Sequence, residues 1–414
     1  MHVFRPSTLL SAGIAVVLLT PFALAQVLAT GDPRPLIPPH YPLVCTVLRA
    51  GFTTTQRATP PSSDDTTRLQ AALASCSGTG KSVVLLPSGG NNAFFSGALT
   101  VNGEALVVGY GVTLFGNNYG TSQMISVTGT NAAIWGPGTI DGRGDLISST
   151  PRLINVKQIQ NFTAAYVTLE HAAKMHLYIE GGSGVNVWGI TIATPANTKN
   201  TDGIDLDSLS EATVFASSIE DGDDGVAIKT NSGPASDITV LGNRFYGTHG
   251  MSIGSQTMYG VTNVLWEDNM VFGTDQWGNV STDNNGINIK SDYDCGGPVS
   301  QVTYRNTVLD GVKHLLIFNT YYGSCSGTVG IPVYQNIVVD GVRAIDSQSG
   351  AYSEFEGYNA ANPLELYLAN VNLDQTAQQD SQYAIVGLDN SNITPAGTGV
   401  TTFDFHLWRP PFRW

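Results

Sequence analysis

The chain has 414 residues, a formal charge of −14 and a pI near 4.7, with glycine at 46 positions and charged residues at only 13%. So negative a chain excludes nucleic acid as a partner, because phosphates would be repelled. Glycine together with Asn, Thr, Ser and Val favours many short strands joined by tight turns over long helices.

Residues 1–25 read as a secretory signal peptide. His2 and Arg5 precede an apolar run over residues 9–24, and Ala23-Leu24-Ala25 offers a small-residue cleavage site before Gln26. The mature chain is therefore expected to be exported, extracellular or periplasmic. No later stretch has the roughly 18 uninterrupted apolar residues of a membrane helix, so no membrane partner is expected. Residues 26–60, rich in Pro and Thr, read as an extended lead-in, and residues 61–414 as one domain. Within that domain only residues 64–75 read clearly as a helix, with Asp64 or Asp65 as N-cap and Leu69 and Leu73 on one face.

The four cysteines suit an oxidising compartment. Cys45 and Cys76 flank the helix, and Cys295 and Cys325 lie farther along. Pairing each with its nearer partner is favoured among the three connectivities that four cysteines allow. No C-x-x-C pair points to a metal.

Beyond the helix the chain repeats itself. Residues 185–192 are echoed at 212–219, 237–245 and 262–271, with later echoes near 301–304 and 335–339. Aligning Val187, Val214, Val240 and Val264 gives steps of 27, 26 and 24. Such a repeat cannot bury its apolar side chains alone and must stack on copies of itself. The reading is an all-β, single-domain right-handed parallel β-helix with the N-terminal helix capping its open strand edge. The step from Val264 to Val302 is 38, so about a dozen residues, 273–284, are inserted there and should wall a cleft. Residues 350–414 are less periodic and read as terminal turns or a cap.

Four short polar clusters ride on this repeat: Asn200-Thr201-Asp202-Gly203, Gly222-Asp223-Asp224-Gly225, Gly247-Thr248-His249-Gly250 and Asn288-Ile289-Lys290. Taken singly, Asn-Thr-Asp-Gly is ordinary turn chemistry and Asp-Asp a solvated turn. In this order and at coil spacing they would stack on neighbouring rungs about 4.8 Å apart, and three carboxylates, an imidazole and an ammonium would share one patch. The clusters resemble the four signatures of glycoside hydrolase family 28, the polygalacturonases, which read Asn-Thr-Asp, Gly-Asp-Asp, Gly-His-Gly and Arg-Ile-Lys. The flanking residues Gly203-Ile204-Asp205, 226–229 and 251–255 match as well.

Inverting cleavage of a glycosidic bond needs an acid for the leaving oxygen and a carboxylate to activate water. Three aspartates crowded on adjacent rungs cannot all ionise cheaply, so one of them should keep its proton near working pH. The resemblance implies that Asp223 is that acid, that Asp202 and Asp224 hold and deprotonate the water, and that His249 tunes the proton of Asp223. It implies further that Lys290 binds a sugar carboxylate and that Tyr321 binds substrate, with Tyr322 an adjacent rival. It implies no metal and no cofactor, an acidic polysaccharide (pectin or polygalacturonate) as the partner, and a monomer. Lys229 has the phase of an alternate strand position, and its role is open.

Asn288 stands where the family carries arginine. An arginine fork grips a carboxylate with two charged hydrogen bonds, and its loss removes about 1.5–3 kcal/mol of binding for each charge-assisted bond. The departure bears on which sugar is held more than on the reaction. The alternatives are a relative acting on rhamnogalacturonan or xylogalacturonan, a calcium-dependent pectate lyase on the same architecture, and a non-catalytic carbohydrate-binding β-helix. The last has no reason to concentrate mutually repelling aspartates.

Overall fold

A computed structural model describes residues 28–120, 122–325 and 330–407. The signal-peptide reading of residues 1–25 lies outside them. Among the described residues no helix is long and apolar enough to cross a membrane.

The chain winds as a right-handed parallel β-helix; among the described residues it has a 22-stranded and a 10-stranded sheet, in which every ladder between strands is parallel. Its interior is built by register. Leu177, Ile204, Val226, Met251, Ile287 and Leu316 sit one above another on successive coils, all fully buried. A period of two along each strand sends the intervening residues outward, so one apolar column is always flanked by a surface column. Corners between strands recur as single left-handed residues at Tyr166, Gly189, Ala216, Gly242, Asp268, Asn306, Gly341 and Asn370. Gly, Asn and Asp accept that conformation most readily and fill six of the eight.

The coil begins earlier than the expected boundary at residue 61. Val44–Arg49 is already a strand, paired in parallel with Ser82–Leu86. The stretch before it crosses the sheet face: Ala29 N–H donates to Thr303, Asp32 N–H to Thr239, and the Arg34 guanidinium to the carbonyl of Val185. The helix spans Thr66–Cys76 and buries Leu69, Leu73 and Cys76. Asp64 receives the Thr66 N–H at 3.1 Å, while Asp65 turns instead to Phe95 N–H and Arg68. Disulfides join Cys45 to Cys76 and Cys295 to Cys325, the nearer-partner connectivity.

One repeat alignment is corrected. Val187, Val214 and Val240 are in register, but Val264 pairs with Ile238, and Val240 faces Trp266. Both Ile238 and Val240 point inward, so a two-residue slip keeps every side chain on its own face and leaves no trace in the apolar pattern.

Candidate active site

The outward columns of one face carry the polar clusters. Asp205, Ala227, Ser252, Asn288, Ile317 and Glu354 form one column, and Asp207 and Lys229 begin the next. The turns entering these strands supply Asp202, Asp223, Asp224 and His249. Those turns are tight because coils approach closely. A Cβ on Gly250 (φ +76°) would lie 2.1 Å from the Asn285 carbonyl oxygen, and one on Gly222 would lie 2.0 Å from that of Thr198. Glycine beside these aspartates and the histidine is thus a packing requirement.

The expected residues converge. His249 Nδ1 lies 3.1 Å from Asp223 Oδ1, and Lys290 Nζ donates to Asp224 Oδ1 at 3.0 Å. Lys229 Nζ donates to Asp202 Oδ2 at 2.9 Å and also to Asp205 Oδ1. Asp202, Asp224, His249, Lys229, Lys290 and Asn288 are all buried, whereas the Asp223 side chain keeps 18% of its surface open. Asp223 is therefore the carboxyl of the trio that reaches the cleft. Asp223, Asp224 and His249 each bring a ligand atom within 4.8 Å of the others, a density that a cation could also use. Here Lys229 and Lys290 supply the positive charge.

Electrostatics divide the acids. Burial raises the Asp223 carboxyl most, but the His249 hydrogen bond together with the charges of His249 and Lys290 outweighs it and holds the group below the usual carboxylate range. Within the Asp223–His249 pair both shifts favour the proton on the histidine. Burial would lower His249, but Asp223 and then Asp224 raise it. Asp205 and Asp221, fully buried, are pushed well up, chiefly by burial, and each leaves one carboxylate oxygen without a hydrogen-bond partner.

The surroundings of the histidine set its tautomer. Asp283 N–H donates to His249 Nε2 at 3.3 Å, with the Thr282 hydroxyl at the same distance. When the imidazole is neutral, an N–H aimed at Nε2 makes that nitrogen the acceptor and puts the proton on Nδ1 toward Asp223; the imidazolium carries a proton on both nitrogens. Both residues end the 273–284 insertion, which Asp275 ties down by accepting from Ala196 N–H, Trp277 N–H and Asn279. The expected cleft wall thus touches the proton-bearing pair.

A raised imidazole keeps its charge to higher pH, and its pairing stabilises the fold below the ordinary histidine value and is lost as pH climbs through the raised one. The alkaline limb of kcat/KM is accordingly expected above about pH 6.5. In His249→Asn it should move to lower pH, with kcat down about a hundredfold. pH–rate profiles of both proteins decide this, and an alkaline limb that stays put would remove His249 from proton delivery.

Several participants are not legible in the four clusters. Lys229 is the counter-charge of Asp202 and Asp205. Ser252 donates to Asp224 Oδ1 at 2.6 Å, and Asn288 Nδ2 reaches Ser252 Oγ at 3.4 Å. Asp221 accepts the Asp223 N–H at 2.9 Å, and Asn200 Nδ2 lies 3.4 Å from Asp223 Oδ2. His176, fully buried, contacts the carbonyls of Thr201 and Asp202 through Nδ1 and Thr194 through Nε2, and burial pushes it down to about 4. It braces the turn that presents Asp202. The period-two alternation marks Lys229 and Ser252 as outward-facing, and that is the signal by which they could have been found.

Of the two tyrosines, Tyr322 lies against Lys290, its ring centroid 5.0 Å from Nζ. Tyr321 stacks on Tyr358 at 5.3 Å and donates its hydroxyl to the Tyr358 carbonyl.

The profile of Glycosyl hydrolases family 28 matches residues 76–391. An endo-polygalacturonase of Pectobacterium carotovorum subsp. carotovorum is 34% identical over 386 residues, covering 83% of this chain and 90% of that protein. A polygalacturonase of Ralstonia solanacearum is 31% identical over 425 residues, covering 83% and 79%. The solved structure of the polygalacturonase from Erwinia carotovora ssp. carotovora superimposes with a TM-score of 0.73 at 32% identity, over 88% of this chain and 100% of that one.

Proposed function

The chain belongs to glycosyl hydrolases family 28 and is a pectin-degrading polygalacturonase, and we propose that it cuts α-1,4-galacturonosyl bonds by direct displacement with inversion. The imidazolium of His249 passes its Nδ1 proton to Asp223 Oδ1 across the 3.1 Å contact, and Asp223 passes it on to the leaving oxygen, which leaves Asp223 ionised and His249 neutral. Asp202 and Asp224 hold the attacking water on the opposite side of the anomeric carbon and take its proton. Lys229 and Lys290 fix those two carboxylates in place, at 2.9 and 3.0 Å. The observation that supports this most directly is the division of labour by surroundings: one carboxyl open to the cleft beside a histidine, two buried beside lysines.

A polyanionic substrate meets a chain of charge −14, so binding depends on local cations. Export to an extracellular or periplasmic space fits the two disulfides. The first relatives matched are named endo-polygalacturonases, which supports a cut inside the polymer.

The test is digestion of polygalacturonate and of rhamnogalacturonan, with product sizes followed over time in the presence and absence of a chelator. Oligomers that shorten progressively, carry no ultraviolet-absorbing double bond and form equally fast with chelator are expected from polygalacturonate. Unsaturated products that vanish on chelation would make the enzyme a lyase and overturn this mechanism. Cleavage of rhamnogalacturonan alone would move the substrate to a decorated backbone, the reading that Asn288 favours.

A further inference from the structure

Beyond Lys290, on the coils that follow the reacting groups, the cleft deepens into a cavity of 170 Å³ lined by Asp283, Asn288, Lys290, His314, Tyr322 and Glu354, among others. Asn288, Ile317 and Glu354 occupy the same outward column on three consecutive strands, so Glu354 lies about 10 Å from Asn288 along the cleft. We propose that Glu354 makes this subsite selective for a sugar without negative charge: a uronate whose carboxyl is esterified, or a neutral sugar. The inference rests on the hydrolase reading and specifies which polymer that site prefers.

Three observations carry it. The one lysine of the cavity is already engaged, its Nζ 3.0 Å from Asp224, and His314 is lowered by burial, so it supplies no charge at neutral pH. The position where the family places an arginine holds Asn288, whose amide reaches Ser252 and which carries no charge. Glu354 is 6% exposed, and its Oε1 has no hydrogen-bond partner among the described residues. Burial first, then Glu356 and Asp380, pushes its carboxyl up to about 8. A carboxylate entering here would lie beside Asp283 and, among the described residues of the cavity, would find no free cation to offset its desolvation. An ester carbonyl or a hydroxyl would instead accept the Glu354 proton and satisfy a group that is otherwise unpaired.

The experiment compares kcat/KM on unesterified polygalacturonate, on partially methyl-esterified homogalacturonan of equal chain length, and on a backbone alternating uronate with neutral sugar. The wild-type enzyme is expected to favour an uncharged-sugar substrate. The esterified arm points to an ester at the subsite, the alternating arm to a neutral sugar. Glu354→Lys should swing the ratio of uncharged to unesterified substrate by about tenfold toward the unesterified polymer, the size of one charge-assisted hydrogen bond. Glu354→Gln, which keeps a neutral donor, should hold the wild-type ratio. A folded Glu354→Lys enzyme with the wild-type ratio overturns the proposal. So does a wild-type enzyme that prefers the unesterified polymer tenfold, a result independent of any variant. Cleavage of none of the three polymers would overturn the hydrolase reading, and this one with it.

Discussion

Asp223→Asn is expected to lower kcat on polygalacturonate by about 10³-fold while the thermal midpoint stays close to that of the parent. The amide keeps the shape of the carboxyl and can still accept from His249 Nδ1 and from Asp224 N–H, the latter at 2.9 Å. What it cannot do is give a proton to the glycosidic oxygen. Because 18% of the side chain is open, and because His249 can give up its proton once its counter-charge is gone, the change leaves the fold little to lose at a pH where the imidazole is neutral. KM should change far less than kcat, since the proton is needed only as the bond breaks. Reducing-sugar release read alongside a melting curve makes the test, and an enzyme of unchanged turnover would remove Asp223 as the acid.

The second large effect concerns stability. Lys229 is buried between Asp202 and Asp205, the latter fully buried with one oxygen already unpartnered. The neighbouring carboxylates Asp205, Asp202 and Asp224 raise the lysine well above its ordinary value despite its burial. Lys229→Met removes the counter-charge and leaves two acids facing each other in a dry site. The expected cost is about 3–5 kcal/mol of unfolding free energy, the penalty for breaking a buried pair from one side. Lys229→Met with Asp205→Asn should recover a large share of it, because the second change withdraws one of the stranded charges. Urea denaturation of the single and double variants gives the coupling. A Lys229→Met protein as stable as the parent would show that the three groups do not form one electrostatic unit. Activity should fall as well, since Asp202 loses the lysine contact that fixes its carboxylate.

These two predictions draw on different levels of reading. Asp223 was legible because its cluster sits in order with three others at coil spacing, and a solenoid turns sequence spacing into spatial adjacency. Lys229 was visible as an outward strand position and no more. Its partners, Asp202 and Asp205, are 27 and 24 residues away on a neighbouring coil. Whether a lysine meets one carboxylate, two or none turns on where its Nζ comes to rest, and alternation along a strand reports only the face. The slip that pairs Val264 with Ile238 has the same origin, because two apolar residues on one face are interchangeable in pattern and distinct only in packing. Glu354 escaped notice entirely. It lies in the less periodic C-terminal stretch, and a single glutamate carries no sign of burial.

The amino-acid order alone established the coiled parallel architecture, the helix near its start, the nearer-partner cysteine pairing as the favoured one, and the set of acids, imidazole and ammonium that share a face. Each of these depends on local periodicity that stacking repeats on every coil, so a one-dimensional signal is enough. The distribution of protons and charges within that face was decided only by the tertiary structure. The histidine rather than an aspartate of the trio holds the proton of the Asp223–His249 pair, Lys229 and Lys290 each claim a carboxylate, and Tyr322 rather than Tyr321 stands over Lys290. Coulomb and desolvation energies change by kilocalories over an ångström, and no spacing along a chain resolves an ångström between coils.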